Sequence, residues 1–300
     1  MAHKTLVNST EYEVAGGLTF VEGTSYSIKN GKALIEGTEY DISFLPPIGT
    51  SLEDCTWEEI RAVSDAGLAS AYFSVGNRKS VYLSGTVGCL TLSGTYYCYI
   101  IGIDHNASVE GTNRIHFQFG YTSSTSSNSV CFVDSAYYYS GSTDAFRMNL
   151  SNTNVGGWDG SYMRNTICTE FKNTLSSDLL SVLKTVTKYT DNKVSNATGS
   201  VSANVTATTD IIFLLATYEV FGAVGYANTY EPDKQAQYDY YKNGGSKIKY
   251  KHTAIGTAAP WSLRSPVASS NQTFSRVVEA GTSNTGNSNI SYGFAPCFCV

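Results

Sequence analysis

The first forty-four residues carry one ten-residue phrase three times. T-L-V-N-S-T-E-Y-E-V at 5–14 is followed by T-F-V-E-G-T-S-Y-S-I at 19–28 and A-L-I-E-G-T-E-Y-D-I at 33–42. Thr10, Thr24 and Thr38 therefore recur every 14 residues, as do Tyr12, Tyr26 and Tyr40. Each copy alternates apolar and polar residues and reads as short strands. A unit this small cannot bury an apolar face alone; it needs a neighbour or another surface. The repeats predict a β attachment module over 1–45 that assembles with other proteins through residues 5–44, with Tyr12, Tyr26 and Tyr40 as contacts. Gly16-Gly17 and Asn30-Gly31, between the copies, predict tight turns. Pro46-Pro47 closes the module and leaves 46–300 as a second domain.

The chain as a whole is poor in charge. Asp, Glu, Lys and Arg make up 15% of the 300 residues, well under the usual quarter, and Ser, Thr, Asn, Gly and 22 Tyr take their place. Tyr, Ser and Asn suit a binding face, and Tyr and Thr equally suit ordinary strands. A net charge of -5 without a basic run argues against nucleic acid. The nearest candidate, Lys247-Ile248-Lys249-Tyr250-Lys251, predicts a strand with one solvated face. No apolar run approaches the roughly 20 residues of a membrane helix, so no membrane insertion is expected. Met1 to Tyr12 is polar; the expectation is synthesis in a host cytoplasm without a signal peptide. Seven cysteines form no CxxC pair and have no metal-ligand spacing, and several sit in apolar strand-like runs such as Cys98-Tyr99-Ile100-Ile101, which predicts reduced thiols.

Thr56-Trp57-Glu58-Glu59 is a capping box and predicts a helix from Trp57 to about Ala66, stopping near Gly67. Strands are expected at Ser80 to Leu83, Tyr96 to Ile103 and Arg114 to Tyr121, and a loop at Thr122 to Asn128. Tyr137-Tyr138-Tyr139 predicts an exposed aromatic loop. A second helix should run from Gly160 or Ser161 to about Lys172. A third should run from Ser176 or Ser177 to Lys188 on the stripe Leu179, Leu180, Leu183 and Val186. Residues 190–208 suggest a polar excursion or long hairpin, Ile211 to Val220 a buried strand, and Tyr238 to Tyr241 a helical segment. Trp261 to Val300 reads as strand, Asn/Ser-rich loop, strand. The fold class is α+β with a twisted antiparallel sheet and two to three helices.

No catalytic constellation stands out. Asp104 and His105 are adjacent, and neighbours on a strand face opposite ways, so His105 predicts a solvated turn. His116 alternates with Phe117 and Phe119 as a satisfied histidine would. Glu219 and Glu231 stand isolated. Cys297 and Cys299 share one strand face, as a redox pair, half a metal site or a buried terminal strand would. No phosphate loop, HExxH or GxSxG occurs. No cofactor is expected, and no clustering of carboxylates suggests a metal.

Several segments together resemble a domain family of prophages and phages of gut Firmicutes. They are Thr56-Trp57-Glu58-Glu59-Ile60 running into Ser64-Asp65-Ala66-Gly67-Leu68-Ala69, Ile101-Gly102-Ile103-Asp104-His105-Asn106, Asn113-Arg114-Ile115-His116-Phe117-Gln118 and Asn154-Val155-Gly156-Gly157-Trp158-Asp159-Gly160-Ser161-Tyr162-Met163-Arg164. Glu219-Val220-Phe221-Gly222, Trp261-Ser262-Leu263-Arg264-Ser265-Pro266 and the closing Gly293-Phe294-Ala295-Pro296-Cys297-Phe298 complete the series. The N-terminal T-L-V-x-G-T-x-Y-x-I phrases are similar to the segment that precedes this domain in such proteins, with Ser9 departing where the later copies have Gly23 and Gly37. The W-x-L-R-S-P and terminal G-x-x-P elements resemble those of C-type-lectin-like folds, which include phage receptor-binding tips and formylglycine-generating enzymes.

The resemblance implies a C-type-lectin-like domain at 46–300 and a non-enzymatic virion protein of a tail tip or fibre. It would bind a bacterial cell-surface receptor, a glycan or protein, and form a homo-oligomer, a trimer being compatible. A purely structural decoration protein and an enzyme of formylglycine-generating type are the alternatives. Ligand contacts are expected at Trp261, Arg264, Asn271, Asn284, Asn287, Asn289 and Tyr292, the asparagines lying on a loop over 267–292. Arg264 also suits a brace, its fork holding backbone carbonyls or a carboxylate.

Overall fold

The computed structural model describes residues 48–133, 146–194 and 199–300 in full, and from residues 1–47 the course of the strands. Those strands form three hairpins: β1 (His3–Val7) with β2 (Thr10–Val14), β3 (Leu18–Val21) with β4 (Thr24–Ser27), and β5 (Asn30–Ile35) with β6 (Thr38–Ser43). Each copy of the repeat is one hairpin. Tyr12 stands opposite Thr5, Tyr26 opposite Thr19 and Tyr40 opposite Ala33. The expected turn at Asn30-Gly31 is not there: Asn30 pairs with Ser43 and Gly31 with Ile42. The last pairs of the three hairpins are instead Val7 with Thr10, Val21 with Thr24 and Ile35 with Thr38, so the strand pattern inside each copy outweighs the turn signal between copies. Gly16-Gly17 lies outside the described residues.

The remainder opens with α1 (Trp57–Asp65). Thr56 Oγ1 accepts the Glu59 amide at 3.1 Å and Glu59 Oε2 accepts the Thr56 amide at 2.6 Å, completing the expected box. Spacing of three places Trp57, Ile60 and Val63 on the buried face. After α2 (Ala69–Tyr72) come the long hairpin β7 (Arg78–Val87) and β8 (Leu90–Ile103), the one-turn α3 (Ala107–Glu110), β9 (Ile115–Tyr121) and β10 (Val130–Cys131). A π turn at Met163–Ile167 leads into α4 (Cys168–Lys172), followed by α5 (Ser177–Val182). The hairpin β11 (Val186–Asp191) with β12 (Val205–Asp210) precedes α6 (Thr217–Phe221) and α7 (Asp239–Lys242). The chain closes with β13 (Lys249–Lys251), β14 (Ala254–Ala259), β15 (Trp261–Pro266), β16 (Thr273–Val277), β17 (Ser283–Asn287) and β18 (Cys297–Cys299).

The protein is mixed α/β with sheet predominating. Its main sheet is antiparallel, in the order β18-β9-β8-β7. The last strand returns beside β9, and its other edge bridges Phe213 and Lys184. Phe298 stacks on Phe117 at 5.1 Å, and Trp57 meets both edge-on at 5.6 and 5.9 Å. Each such aromatic pair adds about 0.5–1.5 kcal/mol beyond its buried area. Helix α1 is thereby fastened to the C-terminal strand; Ser64 Oγ also donates to the Val300 carbonyl at 2.9 Å.

Four expectations are corrected. The third helix stops at Val182 rather than Lys188: Leu183 is extended, and the β-branched run Val186, Thr187, Thr190 pairs as β11. Ile211 to Val220 is no strand; it makes one bridge at Phe213 and then turns into α6. The segment 267–292 is not a loop but holds β16 and β17, which extend β15 into a three-stranded sheet. Within Lys247–Lys251, Lys249 points into the core, fully buried, its Nζ donating to Tyr99 Oη at 3.2 Å. Tyr137-Tyr138-Tyr139 lies outside the described residues.

Candidate functional site

The densest set of titratable groups lies inside the fold, where β9, β11, β15 and helices α3, α6 and α7 converge. Strand alternation in V-T-K-Y-T turns Lys188 inward with Val186 and Thr190. Its ammonium donates to Glu110 Oε2 at 2.8 Å, to Glu219 Oε1 at 3.2 Å and to Tyr238 Oη at 2.7 Å, which uses all three protons. Glu219 sits at the third position of α6, where Oε2 also accepts the Ala216 amide at 2.9 Å. Arg264 grips both Glu219 oxygens, with Nη2 to Oε1 at 2.8 Å. Its remaining donors go to Thr190 Oγ1, Leu214 O and Tyr189 O. Five N–H groups thus meet five acceptors, and Arg264 is fully buried.

Two carboxylates face two cations, so the cluster is neutral overall. Arg264 and Lys188 hold the Glu219 carboxyl far below its usual range against the opposing cost of burial. Burial raises the Glu110 carboxyl. His105 stacks on the Tyr238 ring at 3.5 Å, and burial, reinforced by Lys188, lowers its pKa to about 3. His116, enclosed beside Tyr238 and Lys188, is likewise held neutral by burial. Tyr238 Oη accepts from Lys188 and pairs with His116 Nδ1 at 3.1 Å, the direction of that second bond being set by the imidazole tautomer. Neither His105 Nε2 nor His116 Nε2 has a hydrogen-bond partner. A second layer extends outward. Glu231 accepts from Ser265 Oγ at 2.7 Å, Gln235 Nε2 at 3.2 Å and the Asp191 amide at 3.2 Å, and burial raises its pKa to about 7. Asp191 in turn accepts from Asn228 at 2.8 Å.

Sequence reasoning missed most of this. His105 is not a solvated turn but 5% exposed, and Glu219 and Glu231 are not isolated. A carboxylate cluster also exists: ligand atoms of His105, Glu110 and Glu219 lie within 4.8 Å of one another. Lys188 already bonds both carboxylates, so side-chain cations supply the positive charge that a metal would bring. The brace reading of Arg264 matches its partners. Glu110, Lys188 and Tyr238 were not anticipated; the inward alternation of β11 was the available signal for Lys188. His105, His116, Glu219 and Arg264 come from four of the segments that carry the phage-family resemblance. Those segments, far apart in the chain, meet in one buried cluster.

The expected ligand contacts are divided. Trp261, Arg264 and Tyr292 are buried, Trp261 donating through Nε1 to the Lys247 carbonyl at 2.9 Å. Asn271 and Asn287 are exposed and Asn289 is half-buried, and these three meet at one end of the β16–β17 hairpin, where the Ser288 amide donates to Gln272 O. Asn284 is exposed but pairs with Arg276 near the opposite end. Tyr12, Tyr26 and Tyr40 lie on β2, β4 and β6. Cys297 and Cys299 belong to a buried terminal strand. An open pocket of about 230 Å³ beside α4 is lined by Arg164, Lys172 and Asp210 among others, with Arg164 committed to Asp210 at 2.6 Å and Asp159 at 3.0 Å.

No curated protein and no solved structure matches the chain. A family model described as Domain of unknown function (DUF6273) matches residues 128–300. That span contains Lys188, Glu219, Tyr238 and Arg264, while His105, Glu110 and His116 precede it; β9, which pairs with β18, also lies before its start. With more than half of its length matched, this chain belongs to the DUF6273 family.

Proposed function

We propose that this chain is a non-enzymatic recognition protein of a phage virion, in which residues 5–44 attach it to other virion proteins and a C-type-lectin-like domain over 46–300 binds a bacterial surface receptor. The observation that carries the non-enzymatic part is the closure of the charge cluster. Lys188 and Arg264 spend every donor on protein groups, and Glu110, Lys188, Glu219 and Arg264 are at most 5% exposed. A buried, charge-balanced network of this kind joins elements and fixes their register. It offers no reacting group to a substrate. The attachment role is supported by three hairpins that each form a separate two-stranded sheet, since an isolated hairpin is marginal in water. The lectin-like reading is supported by an antiparallel sheet to which the C-terminal strand returns, with W-S-L-R-S-P as a fully buried strand at the edge of a second sheet. A homo-oligomer, including a trimer, fits repetition on a symmetric particle, where avidity adds to modest site affinity.

Adsorption of the full chain to host cells tests the proposal. Saturable binding is expected, and removal of residues 1–44 should leave that binding per domain intact while abolishing incorporation into particles. Absence of adsorption by every oligomeric form would overturn it in favour of a purely structural virion role.

A further inference from the structure

Five segments converge at one end of the described domain: 149–157, 199–204, 222–230, 267–272 and 287–292. Main-chain and side-chain bonds tie them together. The Asn154 amide donates to Asn271 O, Gly199 to Ala268 O, Ala268 to Tyr226 O, and Ser288 to Gln272 O. Thr229 donates to Ser200 Oγ, and Ser288 Oγ to Ser151 O. Not one Asp, Glu, Lys or Arg occurs in any of the five. Charged side chains stand at the border, where the Arg276 guanidinium lies 4.6 Å over the Tyr292 ring and exposed Asp233 and Lys234 follow Tyr230.

This end is also where apolar groups face water. Of the nine large hydrophobic side chains exposed among the described residues, five are here: Leu150, Val155, Val201, Tyr226 and Tyr230. Tyr226 is 51% and Tyr230 43% exposed. The same segments carry the uncharged hydrogen-bonding side chains of Asn271, Asn287 and Asn289.

The surface is held from beneath. Buried Asn154 donates through Nδ2 to the carbonyls of Val267, Ser270 and Thr273. Buried Asn228 donates to Val201 O at 3.0 Å and to Asp191 at 2.8 Å, which links these loops to Glu231 and so to the inner cluster. Loops fixed in this way lose little entropy on binding.

We infer that this loop end, whose own five segments carry no charged residue, is the ligand face and that its occupant is an uncharged bacterial surface polysaccharide. The inference rests on the recognition role proposed above and names its site and ligand class. Exposed tyrosine rings offer apolar faces to sugar C–H groups, and amides and hydroxyls pair with sugar hydroxyls in both donor and acceptor senses. The five segments bring no cation of their own to neutralise a phosphate or carboxylate polymer.

The test is binding of the labelled full chain to immobilised neutral cell-wall polysaccharide and to teichoic acid. Wild type, Tyr226→Ala, Tyr230→Ala and, as control, Tyr82→Ala on β7, which is 55% exposed, are compared. Melting temperatures are measured alongside. The expected result is binding to the neutral polymer, reduced at least about tenfold by either loop substitution and unchanged by Tyr82→Ala. Preference for teichoic acid, loss of cell binding after protease treatment of the cells, or unchanged affinity in both loop variants would overturn the inference while leaving the recognition role standing. No binding to cells or to any polymer would overturn both.

Discussion

Arg264 Nη2 donates to Glu219 Oε1 at 2.8 Å while Nη1 holds Oε2, and neither side chain reaches solvent. The pair joins β15 to α6, and through Lys188 it reaches β11 and α3. Removing one member leaves the other buried with its charge uncompensated, at a cost of about 3–5 kcal/mol. Arg264→Met should lower stability by that amount in urea unfolding. The double variant Arg264→Met/Glu219→Met should be less destabilised than the sum of its singles, the mark of direct coupling.

Acid should weaken the fold through its buried imidazoles. His105 is held at about 3 in the folded state against 6.5 when exposed. Between those values the unfolded chain binds a proton that the folded chain refuses, so stability rises as pH climbs through the window and is lost as pH falls through it. His252, lowered to about 4 by burial, acts in the same sense. Chemical denaturation from pH 7 to 4 should show a shallower loss for His105→Gln than for wild type.

Glu231 has the opposite sign. Burial lifts its carboxyl from 4.5 to about 7, so the folded chain keeps a proton that the unfolded chain releases. Its contribution is full below pH 4.5 and lost as pH rises to about 7. The stability of Glu231→Gln relative to wild type should therefore increase between pH 4.5 and 7.

Gly157 has φ +55°, and a Cβ there would lie 2.0 Å from the Asp191 carbonyl oxygen. Backbone strain alone costs about 1–3 kcal/mol for a side chain in that region, and the collision adds to it. Gly157→Ala should depress the melting temperature markedly, whereas Gly199→Ala, with open space around its Cβ, should meet the backbone cost alone.

How much of this was legible depends on range in sequence. The Thr56 and Glu59 cap is a four-residue pattern, and it gave α1 correctly. Cys297 and Cys299 read as a buried terminal strand because alternation is local. The third helix was overrun because Leu179, Leu180, Leu183 and Val186 fit a helical stripe, while the pairing of Val186 with Asp210 that overrides it lies on another strand. The cluster was illegible for the same reason. His116 finds Tyr238 122 residues away, and Arg264 finds Glu219 45 residues away. No window contains both partners, so each residue looked solitary. Of the asparagines grouped on composition, Asn271, Asn287 and Asn289 lie at one hairpin end and Asn284 near the other, while Trp261 and Tyr292 were drawn into the same set because aromatic content does not distinguish a core ring from an exposed one.

The most direct measurement is adsorption to host cells by wild type, the double variant Tyr226→Ala/Tyr230→Ala, and Glu219→Gln, each assayed below its melting temperature. A closed inner brace beneath an outward recognition face predicts that the tyrosine variant melts like wild type but no longer adsorbs, while folded Glu219→Gln adsorbs normally. Normal adsorption by the tyrosine variant, together with lost adsorption by folded Glu219→Gln, would contradict it.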